Sequence, residues 1–129
     1  MTADRPRDRL GRPLPRGSAP DPSVPPVPDI SGLTDEGVLA LALALVDDGL
    51  PFHAHEVCEE RWRTCSPTDR DLWRALAQWG AAETHAARGN AEGAQRLGQR
   101  ALDGLTACDR NHLVMTGMGQ VLARCRSLA

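Results

Sequence analysis

The sequence contains neither lysine nor tyrosine, so all fifteen of its basic residues are arginines. Seventeen acidic residues outnumber them, and the formal net charge is −2 over 129 residues. Binding to nucleic acid or to an anionic membrane requires a basic surface. This charge balance therefore excludes nucleic acid and membrane as expected partners.

Paired cysteines and long apolar runs are also missing. Four cysteines occur without a CxxC pair: Cys58, Cys65, Cys108 and Cys125. No secretory hydrophobic segment opens the chain, which indicates reduced cysteines in the cytoplasm. The longest apolar run, residues 38–46, is far shorter than the ~20 residues of a transmembrane helix. We therefore expect a soluble cytoplasmic protein.

The first thirty residues differ in composition from the rest of the chain. Residues 1–30 hold eight of the ten prolines and very few large apolar side chains. Such a segment cannot bury enough apolar surface to offset its conformational entropy. We predict a disordered or loosely attached tail that serves as a spacer, followed by one domain over 31–129. A Pro-rich ligand for a groove on a partner is the alternative.

From residue 31 onward, apolar residues recur at helical spacing, and no stretch alternates with period two. The pattern predicts an all-α bundle of about five antiparallel helices joined by short turns. The predicted helices cover 34–48, 51–64, 67–88, 91–107 and 111–127. Small residues are abundant in the third helix, which favours a central position with Leu76, Ala77 and Gly80 buried.

Residues that favour helix ends support these boundaries. Thr34, Ser66 and Asn90 are suited to capping the helices that follow them. Gly49 and Gly89 are suited to ending the helices that precede them. The fifth predicted helix carries an apolar stripe of Val114, Met118, Val121, Leu122 and Cys125.

The segment PFHAHEVCEERWR, residues 51–63, places polar and large apolar side chains on one helical arc. His55, Glu56 and Glu59 share roughly 120° of the helix surface with Phe52 and Trp62. We interpret the two aromatic residues as core anchors. Polar groups beside such anchors either project into a site or are buried and hydrogen-bonded.

The spacing of these polar residues predicts a cluster between the second and third helices. His55 and Glu59 are i, i+4 neighbours, and Arg63 lies a turn beyond Glu59. Gln78 and His85 share a face of the third helix. His55 and Gln78 both lie about 16 Å from the connecting turn, so they are level. His85 lies about 10 Å further along the third helix. It can reach the cluster only if the two helices splay apart, or if a water molecule or a metal ion bridges the distance.

Three interpretations of the cluster stay open at this point. A structural polar network, in which Glu59 fixes the tautomer of His55, is favoured. A divalent transition metal held by His55, Glu59 and His85 is the second interpretation. A small-molecule pocket or an acid–base site is the third.

Other histidines and tryptophans have simpler interpretations. His53 lies some 160° from His55 around the helix, so we expect it to be solvated. His112, near the start of the fifth predicted helix, is expected at the surface. Trp73 and Trp79 are expected in the core, since no basic groove accompanies them.

The signature of this segment resembles a known family. The residues Phe52, His55, Glu56, Glu59, Trp62 and Arg63 match the pattern F-x-x-H-E-x-x-E-x-x-W-R. Gln78, His85 and the R-G-N-x-x-G-A turn over residues 88–94 continue the match. Over about 45–106 the chain resembles the family called domain of unknown function 309. The sequence departs from the family's usual residues at Cys58, Trp79, Glu83 and Thr84.

The resemblance implies a small α-helical domain and no established biochemistry. Because no complete catalytic set is found, we favour a binding or interaction module over an enzyme. One alternative is a metal-dependent hydrolase that uses His55, Glu56, Glu59 and His85. Another is a tetratricopeptide-like scaffold, suggested by residues 86–102. The sequence identifies no partner, and a homodimer and a protein partner both stay open.

Overall fold

The structure, a computed structural model, describes residues 5–113 and 115–129. Its helices are α1 (Asp35–Asp47), α2 (Pro51–Thr64), α3 (Arg70–Ala87), α4 (Ala91–Thr106), α5 (Arg110–Leu113) and α6 (Met118–Leu128). In the described part of the chain the only β-type pairing is an isolated bridge between Arg7 and Pro13. The all-α fold class is therefore confirmed. No described helix is both long and apolar enough to cross a membrane.

The residues expected at helix ends mostly lie where the sequence places them. Thr34 and Asn90 each accept a hydrogen bond from the backbone amide three residues further on, at 3.0 Å. Gly49 and Gly89 follow α1 and α3 with φ of 78° and 81°. A residue with a side chain rarely adopts this left-handed conformation, so both positions favour glycine.

Two predicted helices differ in extent from the observed ones. Residues 67–69 form a 3₁₀ turn, and the Ser66 hydroxyl bonds to neighbouring side chains instead of capping α3. The fifth predicted helix is divided, because Gly117 has φ of 94° and α6 begins only after it. A Cβ at position 117 would lie 2.9 Å from the side chain of Leu43 in α1. Val114 of the predicted stripe lies outside the described residues.

Helix α3 is central, as predicted. It packs against α2 and α4, and it also contacts α1 and α6. Leu76, Ala77 and Gly80 are buried. At Gly80 the helices approach so closely that a Cβ would lie 2.6 Å from the Cα of His55. The absence of a side chain at this position therefore sets the distance between α2 and α3.

The three tryptophans have unequal exposure. Trp73 and Trp79 on α3 are fully buried at 0 % exposure. Trp62 on α2 is only partly buried, and the Cζ atom of Arg70 lies 4.7 Å from the centroid of its ring. The first two tryptophans belong to the core, whereas the third borders a surface groove.

The N-terminal segment, residues 5–30, contains no helix but lies against the helical domain. Ile30 is buried, and the carbonyl oxygens of Leu10 and Pro25 bond to Arg88 and His53. The segment therefore contacts the helices at these positions, and its expected role as a spacer stays a prediction. Residues 1–4 lie outside the described residues, and the domain boundary at residue 30 stays a prediction.

Candidate functional site

A groove of about 290 Å³ lies between α2, α3 and α4, and we call it the central groove. Its lining consists of His55, Glu59, Trp62, Arg74, Ala77, Gln78, Ala81 and Leu97. The small side chains of Ala77 and Ala81 leave space above α3, while Trp62 and Leu97 add apolar surface. The groove therefore combines an apolar floor with polar and charged side chains.

His55 is oriented by the backbone of the neighbouring helix. Its Nδ1 lies 3.0 Å from the carbonyl oxygen of Ala77, and its Nε2 lies 2.9 Å from Oε2 of Glu59. A carbonyl oxygen only accepts, so Nδ1 carries the hydrogen. In a neutral ring Nε2 would then face the carboxylate with a lone pair. The hydrogen bond at Nδ1 thus directs Nε2 toward the carboxylate of Glu59.

Glu59 connects His55 to an arginine on the protein surface. Its Oε1 accepts a hydrogen bond of 2.8 Å from Nη2 of Arg63. Nη1 of the same arginine donates to Glu60. Oε1 of Glu56 lies 3.9 Å from Nε2 of His55. His55, Glu56 and Glu59 can each supply one ligand atom, and these atoms lie within 4.8 Å of one another.

The structure brings Gln78 to the central groove and places His85 beside a smaller cavity that His55 also lines. Gln78 lines the central groove together with His55, as the level pairing predicts. Nδ1 of His85 instead lies 3.0 Å from Nδ2 of Asn90, at the turn between α3 and α4. His85 is not part of the group of three converging ligands. The structure therefore groups Glu56, rather than His85, with His55 and Glu59.

The R-G-N-x-x-G-A turn has a structural explanation around His85. Asn90 accepts from the amide of Gly93 through Oδ1 and donates to His85 through Nδ2. A Cβ at position 93 would lie 2.9 Å from Nδ1 of His85. Gly93 thus leaves room for the imidazole, and Asn90 links the cap of α4 to α3.

The two aromatic residues of the signature are less buried than core anchors usually are. Phe52 is partly buried, and its ring contacts Gly11 and the guanidinium group of Arg7 in the N-terminal segment. Trp62 lines the central groove. Both side chains therefore border surfaces at which another group can pack.

Two histidines differ from their expected environments. His53 was expected in solvent, but it is 4 % exposed, and its Nε2 donates to the carbonyl oxygen of Pro25 at 2.7 Å. This partner comes from the N-terminal segment, whose position the helical pattern does not indicate. His112 is partly buried, and its Nε2 lies 2.9 Å from Oδ1 of Asp69.

A buried ionic cluster between α3 and α6 is missing from the sequence interpretation. Glu83 is 6 % exposed and accepts hydrogen bonds from Nε1 of Trp79, at 2.9 Å, and from Nη2 of Arg124, at 3.0 Å. Nε of Arg124 also donates to Glu83. The hydrogen bond to Glu83 raises the pKa of Arg124. An acidic residue on a mostly apolar helix indicates the need for a buried partner, but it does not identify Arg124.

The fold and the groove define a small all-α domain with polar side chains at a helix–helix interface. Residues 39–97 match the model of the family described as Domain of unknown function (DUF309). The match confirms the resemblance, and the lining of the central groove falls within it. No curated protein and no solved structure matches the chain.

Proposed function

We propose that this chain is a small binding module whose ligand lies in the central groove. The observation that carries the proposal is the combination of an apolar floor with hydrogen-bonding groups that converge on one opening. Ligand sites are typically concave and mostly apolar, with a few well-placed polar groups. A cytoplasmic location, expected from the cysteines, stays a prediction.

The size and charge of the groove suggest the kind of ligand. At about 290 Å³ it is close to the lower limit of typical small-molecule pockets, ~300 Å³. The aromatic face of Trp62 and the side chain of Leu97 offer apolar contact. Arg74 and Gln78 offer hydrogen-bond donors opposite Glu59. The groove suits a small ligand, or one part of a longer ligand, that has an apolar body and polar ends.

A fragment screen followed by heteronuclear NMR tests this proposal. We expect fragments to shift the amide signals of residues around Trp62, Ala77 and Ala81. Leu97→Glu should abolish these shifts, because it places a charge in the apolar floor. Gln95→Glu is the matched control, since Gln95 is exposed on the same helix. Fragments that bind elsewhere, or equally well to Leu97→Glu, would contradict the proposal.

A metal site is the second candidate, and the orientation of His55 favours it. Metal-binding histidines usually donate their other ring N–H to a carbonyl or carboxylate, as His55 does to Ala77. Glu56 and Glu59 supply the oxygen ligands that Zn²⁺, Mn²⁺ or Fe²⁺ accept. Such an ion would act as a Lewis acid, which is the basis of the hydrolase alternative.

Calorimetric titration with ZnCl₂ and elemental analysis of untagged protein separate the two candidates. If the metal candidate is correct, we expect stoichiometric binding that is lost in Glu59→Gln. Glu60→Gln is the matched control, because Glu60 bonds to the same arginine but lies outside the group of three. Equal zinc binding by both variants, or none by the unaltered chain, would remove the metal candidate.

The tetratricopeptide-like scaffold has the weakest support of the three functions. The segment that suggests it covers the end of α3, the following turn and most of α4, and α3 and α4 pack together. They supply one helix pair, whereas about three repeats are needed to bury a continuous core.

A further inference from the structure

A larger cavity of about 470 Å³ lies between α3, α4 and α5. We call it the charged cavity, because five ionisable side chains of opposite sign line it: Asp71, Arg74, Arg100, Asp103 and Asp109. Its volume exceeds the ~300 Å³ at which typical small-molecule pockets begin. Except for Arg74, none of the five lines the central groove. The charged cavity therefore has charged groups that the central groove does not use.

Helices α3 and α4 run antiparallel along this cavity. A Cβ at Gly93, near the start of α4, would lie 2.9 Å from Nδ1 of His85, near the end of α3. A Cβ at Gly104, near the end of α4, would lie 3.0 Å from Cβ of Ala75, near the start of α3. Moving toward the start of α3 therefore means moving toward the end of α4.

The charges on the two helices are arranged in opposite order along the chain. On α3, Asp71 comes three residues before Arg74, and on α4, Asp103 comes three residues after Arg100. Three residues correspond to about 4.5 Å along a helix. Because the helices are antiparallel, both aspartates are displaced from their arginines in the same direction. Asp109 follows α4 in that direction too. The charged cavity thus has an arginine end and an aspartate end.

These opposite charges do not neutralise one another. Side chains three residues apart on a helix are close enough to pair. In the part of the chain that the structure describes, however, no ion pair involves Asp71, Arg74, Arg100 or Asp103. Asp103 accepts a hydrogen bond of 2.9 Å from Nε2 of Gln99, a neutral donor that leaves its charge in place. All four charges are therefore available to a ligand.

The thiol of Cys108 senses the negative charge at the aspartate end. Cys108 follows the end of α4 and lines the charged cavity. Burial raises its pKa, and the charge of Asp71 adds to this effect. The aspartate end therefore favours a positively charged group.

We propose that the charged cavity is a second binding site, which takes a small zwitterion with its carboxylate at the arginine end and its ammonium at the aspartate end. Guanidinium groups bind carboxylates through two parallel hydrogen bonds, and carboxylates accept hydrogen bonds from an ammonium group. A ligand with one charge would leave the other end of the cavity unmatched. The inference goes beyond the proposed function, because it does not require a ligand in the central groove.

The probe is γ-aminobutyrate, whose ammonium and carboxylate are separated by three methylene groups. In heteronuclear NMR titrations of the full chain, we expect saturable shifts of amide signals over residues 71–75 and 100–108. N-acetyl-γ-aminobutyrate lacks the ammonium group, and γ-aminobutyramide lacks the carboxylate. Each should bind roughly 10-fold more weakly or worse, since it loses charge-assisted hydrogen bonds at one end.

Two variants on α4 test the orientation of the ligand. Arg100→Gln should weaken binding of γ-aminobutyrate roughly 10-fold and leave that of γ-aminobutyramide unchanged, because the amide has no carboxylate to lose. Asp103→Asn should weaken binding of γ-aminobutyrate similarly and leave that of N-acetyl-γ-aminobutyrate unchanged. Arg96→Gln and Glu92→Gln are the matched controls, because both residues are exposed on α4 and do not line the cavity. Circular dichroism checks that all four variants keep their helices.

Three outcomes would overturn the inference. The first is the absence of saturable shifts with γ-aminobutyrate. The second is equally tight binding of either singly charged compound. The third is an equal loss of binding in the controls, which would indicate a general effect of surface charge. Arg100 and Asp103 do not line the central groove, so both variants should still bind fragments there. Failure of the proposed function is therefore distinguishable from failure of this inference.

Discussion

Two ionic clusters of this domain contain similar groups but differ in burial. In the α2 cluster, the side chains of His55, Glu59 and Arg63 are 23 %, 29 % and 55 % exposed. In the α3–α6 cluster, the side chain of Glu83 is 5 % exposed and that of Arg124 is 43 % exposed. The α2 cluster borders a groove, whereas the α3–α6 cluster joins two helices.

The difference in burial determines what each cluster contributes. Exposed ion pairs add little to stability, with a median of about 0–1 kcal/mol, since water and salt screen them. Such side chains are free to rearrange around a ligand. A buried carboxylate has lost its hydration, so removing its partners is costly. The α2 cluster therefore suits binding, and the α3–α6 cluster suits stability.

The largest expected effect is on the buried cluster. Glu83→Gln should lower the free energy of unfolding by about 3 kcal/mol, because it weakens two charge-assisted hydrogen bonds from Arg124 and one from Trp79. Urea denaturation measures this loss, and Glu60→Gln is the exposed control. A loss below about 1 kcal/mol would mean that the α3–α6 cluster behaves like a surface pair.

The thiol of Cys125 provides a second measurement on the same variant. Burial raises its pKa to about 12, and the charge of Glu83 adds to this effect. Burial likewise raises the pKa of Cys58 to about 12. A raised pKa lowers the thiolate fraction, so both should resist iodoacetamide at about pH 8. In Glu83→Gln we expect Cys125 to react faster as α6 loosens, while Cys58 stays protected.

An intermediate effect is expected where α2 approaches α3 behind the α2 cluster. Gly80→Ala should lower the free energy of unfolding by about 1–3 kcal/mol, because its Cβ would overlap the backbone of His55. Gly119→Ala on α6 is the control, since nothing lies within 4 Å of a Cβ there. Alanine is the better helix former, so the control should be stabilised by up to about 1 kcal/mol. Equal effects at the two positions would show that α2 and α3 do not pack as closely as described.

The smallest expected effect is on the exposed cluster. Glu59→Gln should change the free energy of unfolding by less than about 1 kcal/mol, and about 1 M NaCl should reduce that difference further. The difference between Glu83→Gln and the unaltered chain should persist in salt. A large, salt-independent loss for Glu59→Gln would remove the distinction between the two clusters.

Local spacing explains what could be predicted from the sequence. The contact between His55 and Glu59 spans one helical turn, and the ends of α1 and α3 coincide with Gly49 and Gly89. Helical geometry also predicts Gln78 level with His55, and both residues line the central groove. Such features depend on residues that are close in the chain or on one short turn.

Contacts between distant segments could not be predicted in the same way. Glu83 and Arg124 are 41 residues apart, and His53 and Pro25 are 28 apart. Periodicity shows that Glu83 lies on an apolar helix but not which cation approaches it. Gly117, where α6 begins, lies close to Leu43 of α1, and a helical pattern does not reveal this contact. The functional roles assigned to the site residues stay predictions.

The three tryptophans differ in burial, so the intrinsic fluorescence of the protein comes from two kinds of environment. Since the chain has no tyrosine, its ultraviolet fluorescence comes almost entirely from three indoles. Trp73 and Trp79 are fully buried, out of reach of dissolved quenchers, and Trp79 donates to the carboxylate of Glu83. Trp62 faces the groove and remains accessible to quenchers. Occupation of the groove and unfolding of the core therefore change the emission separately, without any added dye.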